Sequence, residues 1–145
     1  MLEFGDWFQI SIPGVILATV LGQIVSTIWF GPLFSKQWIK YCRWNFNEAM
    51  EIIDKNHREK KPLYFSFLEH LINMLVFGVL IHNMGITTVS GAMWFSVLVW
   101  FGFMATVAAN EVLWHAEKFE FYALNQACYF VRGLVMAATY AYIAL

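Results

Sequence analysis

The sequence predicts an all-α integral membrane protein: a bundle of four transmembrane helices, with a short amphipathic cytoplasmic helix between helices 1 and 2. Three observations carry this. Of 145 residues, 60% are hydrophobic and 19% aromatic, while only 13% are charged, about half the share usual in soluble domains. The apolar residues fall into four runs long enough to cross a hydrocarbon layer, which takes about 20 residues at a rise of about 1.5 Å each. Seven of the nine Lys and Arg residues (Lys36, Lys40, Arg43, Lys55, Arg58, Lys60 and Lys61) gather in one polar connection.

The first run covers about residues 8–34. Its leader carries Glu3 and Asp6 in place of positive charge, and the run is too long for a secretory signal, so it is expected to remain as a spanning helix. Gly31-Pro32 is expected to end that helix, because proline has no amide donor, with Trp29 and Trp38 flanking the end as interfacial anchors. Trp7 and Trp114 take the same role at other helix ends. The remaining runs cover about residues 63–86, 89–115 and 121–145. They are helices because lipid cannot satisfy open backbone groups, and the whole chain reads as a single membrane domain. The turn at 85–88 and the link at 117–120 are short, so helices two, three and four are expected to be antiparallel neighbours.

In the connection at 35–62, Asn45 followed by Glu48 reads as an N-cap and capping box, which predicts a helix over 46–59. Ala49, Met50, Ile52 and Ile53 fall on one side of it, with Lys55 and Arg58 left for water or headgroups, so it should lie on the membrane surface. The positive-inside rule places this connection in the cytoplasm and both termini on the opposite face. Net charge is −1, which offers no field for nucleic acid. The partners expected are the lipid bilayer and other membrane subunits or further copies of the chain. Cys42 and Cys128 lack metal or C-x-x-C spacing, so two free thiols and no cofactor are expected.

Gly14, Ala18, Gly22 and Ser26 recur every four residues and stack small side chains into one groove, the pattern that lets membrane helices approach closely. Gly133, Ala137 and Ala141 repeat it more weakly in the fourth run. Packing within the protomer or a dimer is the expected use. Arg132 is the most informative residue, since a guanidinium well inside a spanning helix needs a partner or hydration. Counting along each helix puts Glu69, Glu111, Asn73, Gln23 and Asn125 within its reach, and an ion pair with Glu69 or Glu111 is expected. Glu69 with Asn73, and Glu111 with His115, are spaced i,i+4 and share a face. His70 and His115 are weak metal candidates beside those carboxylates. Glu69 and His70 are consecutive and diverge by about 100° on a helix, so no metal set is expected.

Three readings of this polar cluster stay open. It is a channel- or transporter-like route for a small polar or anionic solute, or the packing device of a structural or accessory subunit in a larger membrane complex. A membrane-embedded lipid-modifying enzyme is the third, although no nucleophile motif, phosphate loop or metal signature supports it.

The run Trp29-Phe30-Gly31-Pro32-Leu33-Phe34, followed by Lys36 and Trp38, resembles the opening motif of the domain of unknown function 1761 family. Trp100-Phe101-Gly102-Phe103 and the 121–137 stretch, with Asn125 and Tyr129, extend the resemblance over most of the chain outside the connection. It implies a small four-helix membrane protein with no agreed activity, so no residue role carries over.

Overall fold

The computed structural model describes residues 9–145; Glu3, Asp6, Trp7 and the start of the first run at residue 8 lie outside them. Ser11 caps helix α1 (Ile12–Ile28) by accepting from the Gly14 N–H, and Pro13 sits in the first turn, where a missing amide costs no helical bond. The helix does not end at Gly31-Pro32. Trp29–Leu33 continue it as one wide, π-type turn, whose displaced hydrogen bonds make room for the proline ring, and the chain turns off at Phe34.

A seven-residue helix α2 (Ser35–Tyr41) follows, too short to leave a periodic signal in the sequence. Asn45 then opens α3 (Phe46–Glu59). Its side chain accepts from the Glu48 N–H at 3.0 Å, and the Glu48 carboxylate accepts from the Asn45 N–H at 3.1 Å. Ala49 is buried beneath α3 and Ile52 and Ile53 are half-buried. Lys60, in the left-handed region at φ 54°, separates α3 from α4 (Lys61–Asn83).

Gly85, at φ 65°, forms the turn into α5 (Val89–Val99), a position a side chain would strain. A second wide turn, Trp100–Ala105, joins α5 to α6 (Thr106–Trp114). Two carbonyls of this turn take side-chain donors: Thr106 Oγ1 bonds Gly102 O at 2.7 Å and the Tyr122 hydroxyl bonds Ala105 O at 2.8 Å. Helix α7 (Phe119–Ala144) completes the chain.

Four stretches, Ile12–Leu33, Lys61–Asn83, Val89–Trp114 and Phe119–Ala144, are long and apolar enough to cross a membrane. Their outward faces carry exposed Ile16, Ile24, Phe65, Ile72, Trp94, Phe103 and Val107. The core between them is built from Val15, Ala18, Met74, Ile81, Ala92, Met136, Tyr140 and Ala141.

Helix α7 packs most extensively on α1 and then on α5, while α4 rests on α1. Helices three and four are neighbours as expected, but the expectation that helices two and three pack side by side is corrected. Despite their short turn, α4 and α5 barely touch beyond the rings of Phe77 and Phe95, 5.3 Å apart, because each lies against a different one of the two central helices. The small-residue stripe is used inside the protomer. A Cβ on Gly14 would meet the Tyr140 ring at 3.1 Å, and one on Gly22 would collide with Met136 Sδ and lie 2.9 Å from His70 Cδ2.

Gly22→Val is therefore expected to lower stability by about 1–3 kcal/mol through overpacking. Gly102→Ala, where a Cβ meets open space, should stay within about 0.5 kcal/mol. Thermal unfolding in detergent checks both, and equal melting of the two variants would show that α1 does not press on α7 at Gly22.

Candidate functional site

Arg132 lies about 20 Å along α7 from Phe119 at helical rise and is only 5% exposed. Its Nη2 donates to Glu69 Oε1 at 3.1 Å, bringing α7 and α4 together across the gap that α5 leaves open. The same carboxylate oxygen accepts from Asn73 Nδ2, one turn further along α4, at 3.2 Å. On the other side the guanidinium carbon sits 4.9 Å from the centre of the Tyr129 ring. A guanidinium carries five N–H donors, and the Glu69 bond is the one hydrogen bond it makes among the described residues.

Arg132 forms part of the wall of a cavity of about 190 Å³ between α4, α5 and α7. Asn73, Ser96, Tyr129 and Trp100 give this cavity its other polar edges, and apolar residues line the rest. Trp100 is held in place by an indole N–H bond to the Gln126 carbonyl at 3.1 Å and by edge packing on Phe130. Glu69 is half exposed at 51%, so the pair is asymmetric, with a buried cation and an open anion.

The other residues expected around Arg132 are placed elsewhere. Glu111 does not join the pair: it sits near the end of α6, where its carboxylate lies 2.8 Å from His115 Nδ1 on the same helix, both side chains more than half exposed. Gln23 is taken up at the contact of α1 with α4, where its Oε1 accepts from Ser66 Oγ at 2.7 Å, one turn before Glu69. Beside it His70, 1% exposed, has Nε2 3.2 Å from Ser26 Oγ and Nδ1 against the Ser66 carbonyl. Both ring nitrogens of His70 are thus occupied by α1 and α4, and among the described residues no group of three His, Cys, Asp or Glu could hold a metal ion. Asn125 donates to the Phe121 carbonyl of its own helix at 3.0 Å.

A second cavity, of about 380 Å³, opens at the end of the bundle that carries the long connection, where Arg43, Glu111, Glu117, Asn125 and Gln126 line it. Tyr129 belongs to the walls of both cavities and is the partition between them. Gln126, 5% exposed, has its Oε1 buried with no hydrogen-bond partner. Sequence reasoning passed over Tyr129 and Gln126 as site residues. The signal was available for the tyrosine, which stands i,i+3 to Arg132 and so must share its face of α7. Cys42 and Cys128 are both free and buried.

Chemically, the arrangement offers a cation with spare donors, one carboxylate, an amide and an aromatic face around a small space. That is equipment for holding a polar or anionic group. The Ser26–His70 contact, the one Ser–His side-chain pairing among the described residues, belongs to the packed core and borders neither cavity.

Comparison with known proteins gives one match: the family model described as protein of unknown function (DUF1761) fits residues 13–141. Neither a curated protein nor a solved structure matches the chain.

Glu69→Gln is expected to lower stability by about 1–3 kcal/mol, since it leaves the buried guanidinium without its counter-charge, and Asn73→Ala by less than about 1 kcal/mol. The exchange Glu69→Arg/Arg132→Glu should recover part of what either single reversal loses. Unfolding midpoints of the two single reversals and the double variant decide this. A double variant no better than the worse single one would break the assignment of the pair.

Proposed function

The chain belongs to the family described as protein of unknown function (DUF1761), and from the geometry of its own site we propose that it is a multi-pass membrane protein that admits a small polar or anionic solute to Arg132, as a transporter or channel does. One observation carries this reading: Arg132, buried within the bundle, makes one hydrogen bond among the described residues while lining a cavity, so most of its donors are left for other partners. A charge held at that depth in a bilayer costs from about 2.5 to more than 10 kcal/mol unless it is paired or solvated. Arginine–carboxylate pairs are frequently bidentate, with two parallel N–H···O bonds. Here, among the described residues, a single hydrogen bond to Glu69 leaves donors for a solute.

Placement in a bilayer is supported by the four long apolar helices and by the apolar residues on their outward faces. The seven basic residues of the connection favour its location in the cytoplasm, with both termini opposite and α3 along the surface. The solute then enters through the larger cavity, passes Tyr129 and meets the guanidinium. Onward movement uses the seam between α4 and α5, where the two helices barely touch.

A second reading is favoured by the exposure of Glu69 beside exposed Asn73. A half-exposed carboxylate on a membrane helix is equally well satisfied by a polar side chain of another subunit or copy, which would make the protein an accessory or oligomeric component.

Purified protein reconstituted in vesicles is expected to pass at least one of chloride, acetate and glycerol at about tenfold or more above the Arg132→Ala variant. Flux at the level of empty vesicles for all three, from folded protein, sinks the transport reading. A stoichiometric complex with other chains in native mass spectrometry would then select the accessory one. For orientation, an impermeant thiol reagent should label Lys55→Cys only after cells are opened, against the low background of two buried native thiols. Labelling in intact cells reverses the topology.

A further inference from the structure

Four basic residues from three segments meet at the connection end of the bundle. Lys36 and Lys40 from α2, Arg43 from the link after it, and Lys118 from the start of α7 line one cavity of about 550 Å³. No acidic side chain lines it, and among the described residues none of the four cations is in an ion pair. Glu117 stands next to Lys118 in the chain, but its carboxylate accepts from the Lys118 backbone N–H and borders the neighbouring cavity.

The convergence is held by the fold. Lys118 Nζ donates to the Lys40 carbonyl at 3.4 Å, across 78 residues of sequence. Trp38 packs against Trp44 at 6.1 Å and against Phe121 at 5.9 Å, which fastens α2 and the following link to the first turn of α7. Four like charges gathered around one space repel one another unless they share a counter-ion. The rest of the wall is mainly apolar and aromatic, from Ile39, Cys42, Trp44 and Phe46, with Asn45 as its one uncharged polar side chain. A basic cavity with such a wall, at the level where a bilayer exchanges headgroups for acyl chains, has the chemistry of a lipid phosphate site.

We propose that this cavity binds the phosphate headgroup of an anionic phospholipid, with Lys36, Lys40, Arg43 and Lys118 around the phosphate and Ile39 and Phe46 against the first acyl carbons. The proposal rests on the membrane placement proposed above and is independent of the solute site at Arg132. It makes the short helix α2 and the head of α7 a lipid clamp, which ties the connection to one leaflet.

The test is native mass spectrometry of detergent-purified full-length protein titrated with phosphatidylglycerol or phosphatidylcholine. One phosphatidylglycerol should be retained and phosphatidylcholine should not. Lys40→Gln/Arg43→Gln/Lys118→Gln should weaken retention about tenfold or more. Lys55→Gln/Arg58→Gln/Lys61→Gln, which removes equal charge outside the cavity, should leave it unchanged. The charge-keeping Lys40→Arg/Lys118→Arg variant should also retain the lipid, which guards against loss by misfolding. Equal retention of the two lipids, or full retention by the triple cavity variant, overturns the site. Displacement of the lipid by millimolar inorganic phosphate assigns the cavity to a free anion and overturns the lipid. Alkaline extraction of native membranes separates the two failures: release of the protein refutes the membrane reading itself, whereas a protein that stays but shows no lipid preference refutes only this site.

Discussion

The close approach of α1 to α7 is the constraint from which the rest of the architecture follows. It depends on Gly14, Ala18 and Gly22 offering no side chain beyond a methyl, so that Tyr140 and Met136 of α7 can enter the groove they leave. Tyr140 also reaches both neighbours: its hydroxyl accepts from the Ser11 N–H at 3.3 Å and would lie only 2.8 Å from a Cβ on Gly78 of α4. Dispersion contacts of this kind are individually small, about 0.1–0.2 kcal/mol per atom pair, and need many atoms at contact distance to matter. Small residues supply them by letting two backbones close up, which is how helices associate where water gives no hydrophobic drive.

Once α1 and α7 are joined, α4 has a seat on α1 and α5 has one on α7, which leaves the gap between α4 and α5 without a filler. The gap is where the polar residues are found. Arg132 and Tyr129 form its floor on α7, Asn73 one edge, and Trp100 the other. Glu69 spans the gap to neutralise the guanidinium yet remains half open. The same packing that buries the core therefore creates an unfilled polar space beside it, and stability and site formation draw on one geometry.

The two wide turns, Trp29–Leu33 and Trp100–Ala105, contribute to this in different ways. The first carries Pro32 through the end of a long helix and turns the chain into α2, which brings Lys36, Lys40 and Arg43 under the head of α7. The second places Trp100 at the polar cavity and presents the Ala105 carbonyl to Tyr122. Wide turns of this type recur at functional sites because they break the helical register without breaking the helix. Both contain the Trp-Phe-Gly sequence, so the residues that carry the family likeness are also those that bend the helices.

Hydropathy and spacing by themselves determined the four long helices, the capping of α3 by Asn45 and Glu48, the small-residue groove of α1 and the need of Arg132 for company. Each of these depends on residues near one another in the chain, where helical rise and period convert sequence distance directly into space. Which residues answered that need was decided by the tertiary structure. Glu69 and Glu111 were equal candidates by depth alone, and the packing of α4 on α1 turned Glu69 toward α7 while Glu111 paired with His115 along α6. Gln23 and His70 were taken up at the contact between α1 and α4, with Ser66 and Ser26. The passage through Pro32, the separation of α4 from α5, and the meeting of Lys118 with Lys40 likewise rest on contacts between distant segments. Depth in a bundle is a one-dimensional quantity that composition encodes, whereas the rotation of each helix about its axis is set by how its neighbours pack, and a single sequence carries no direct record of that angle.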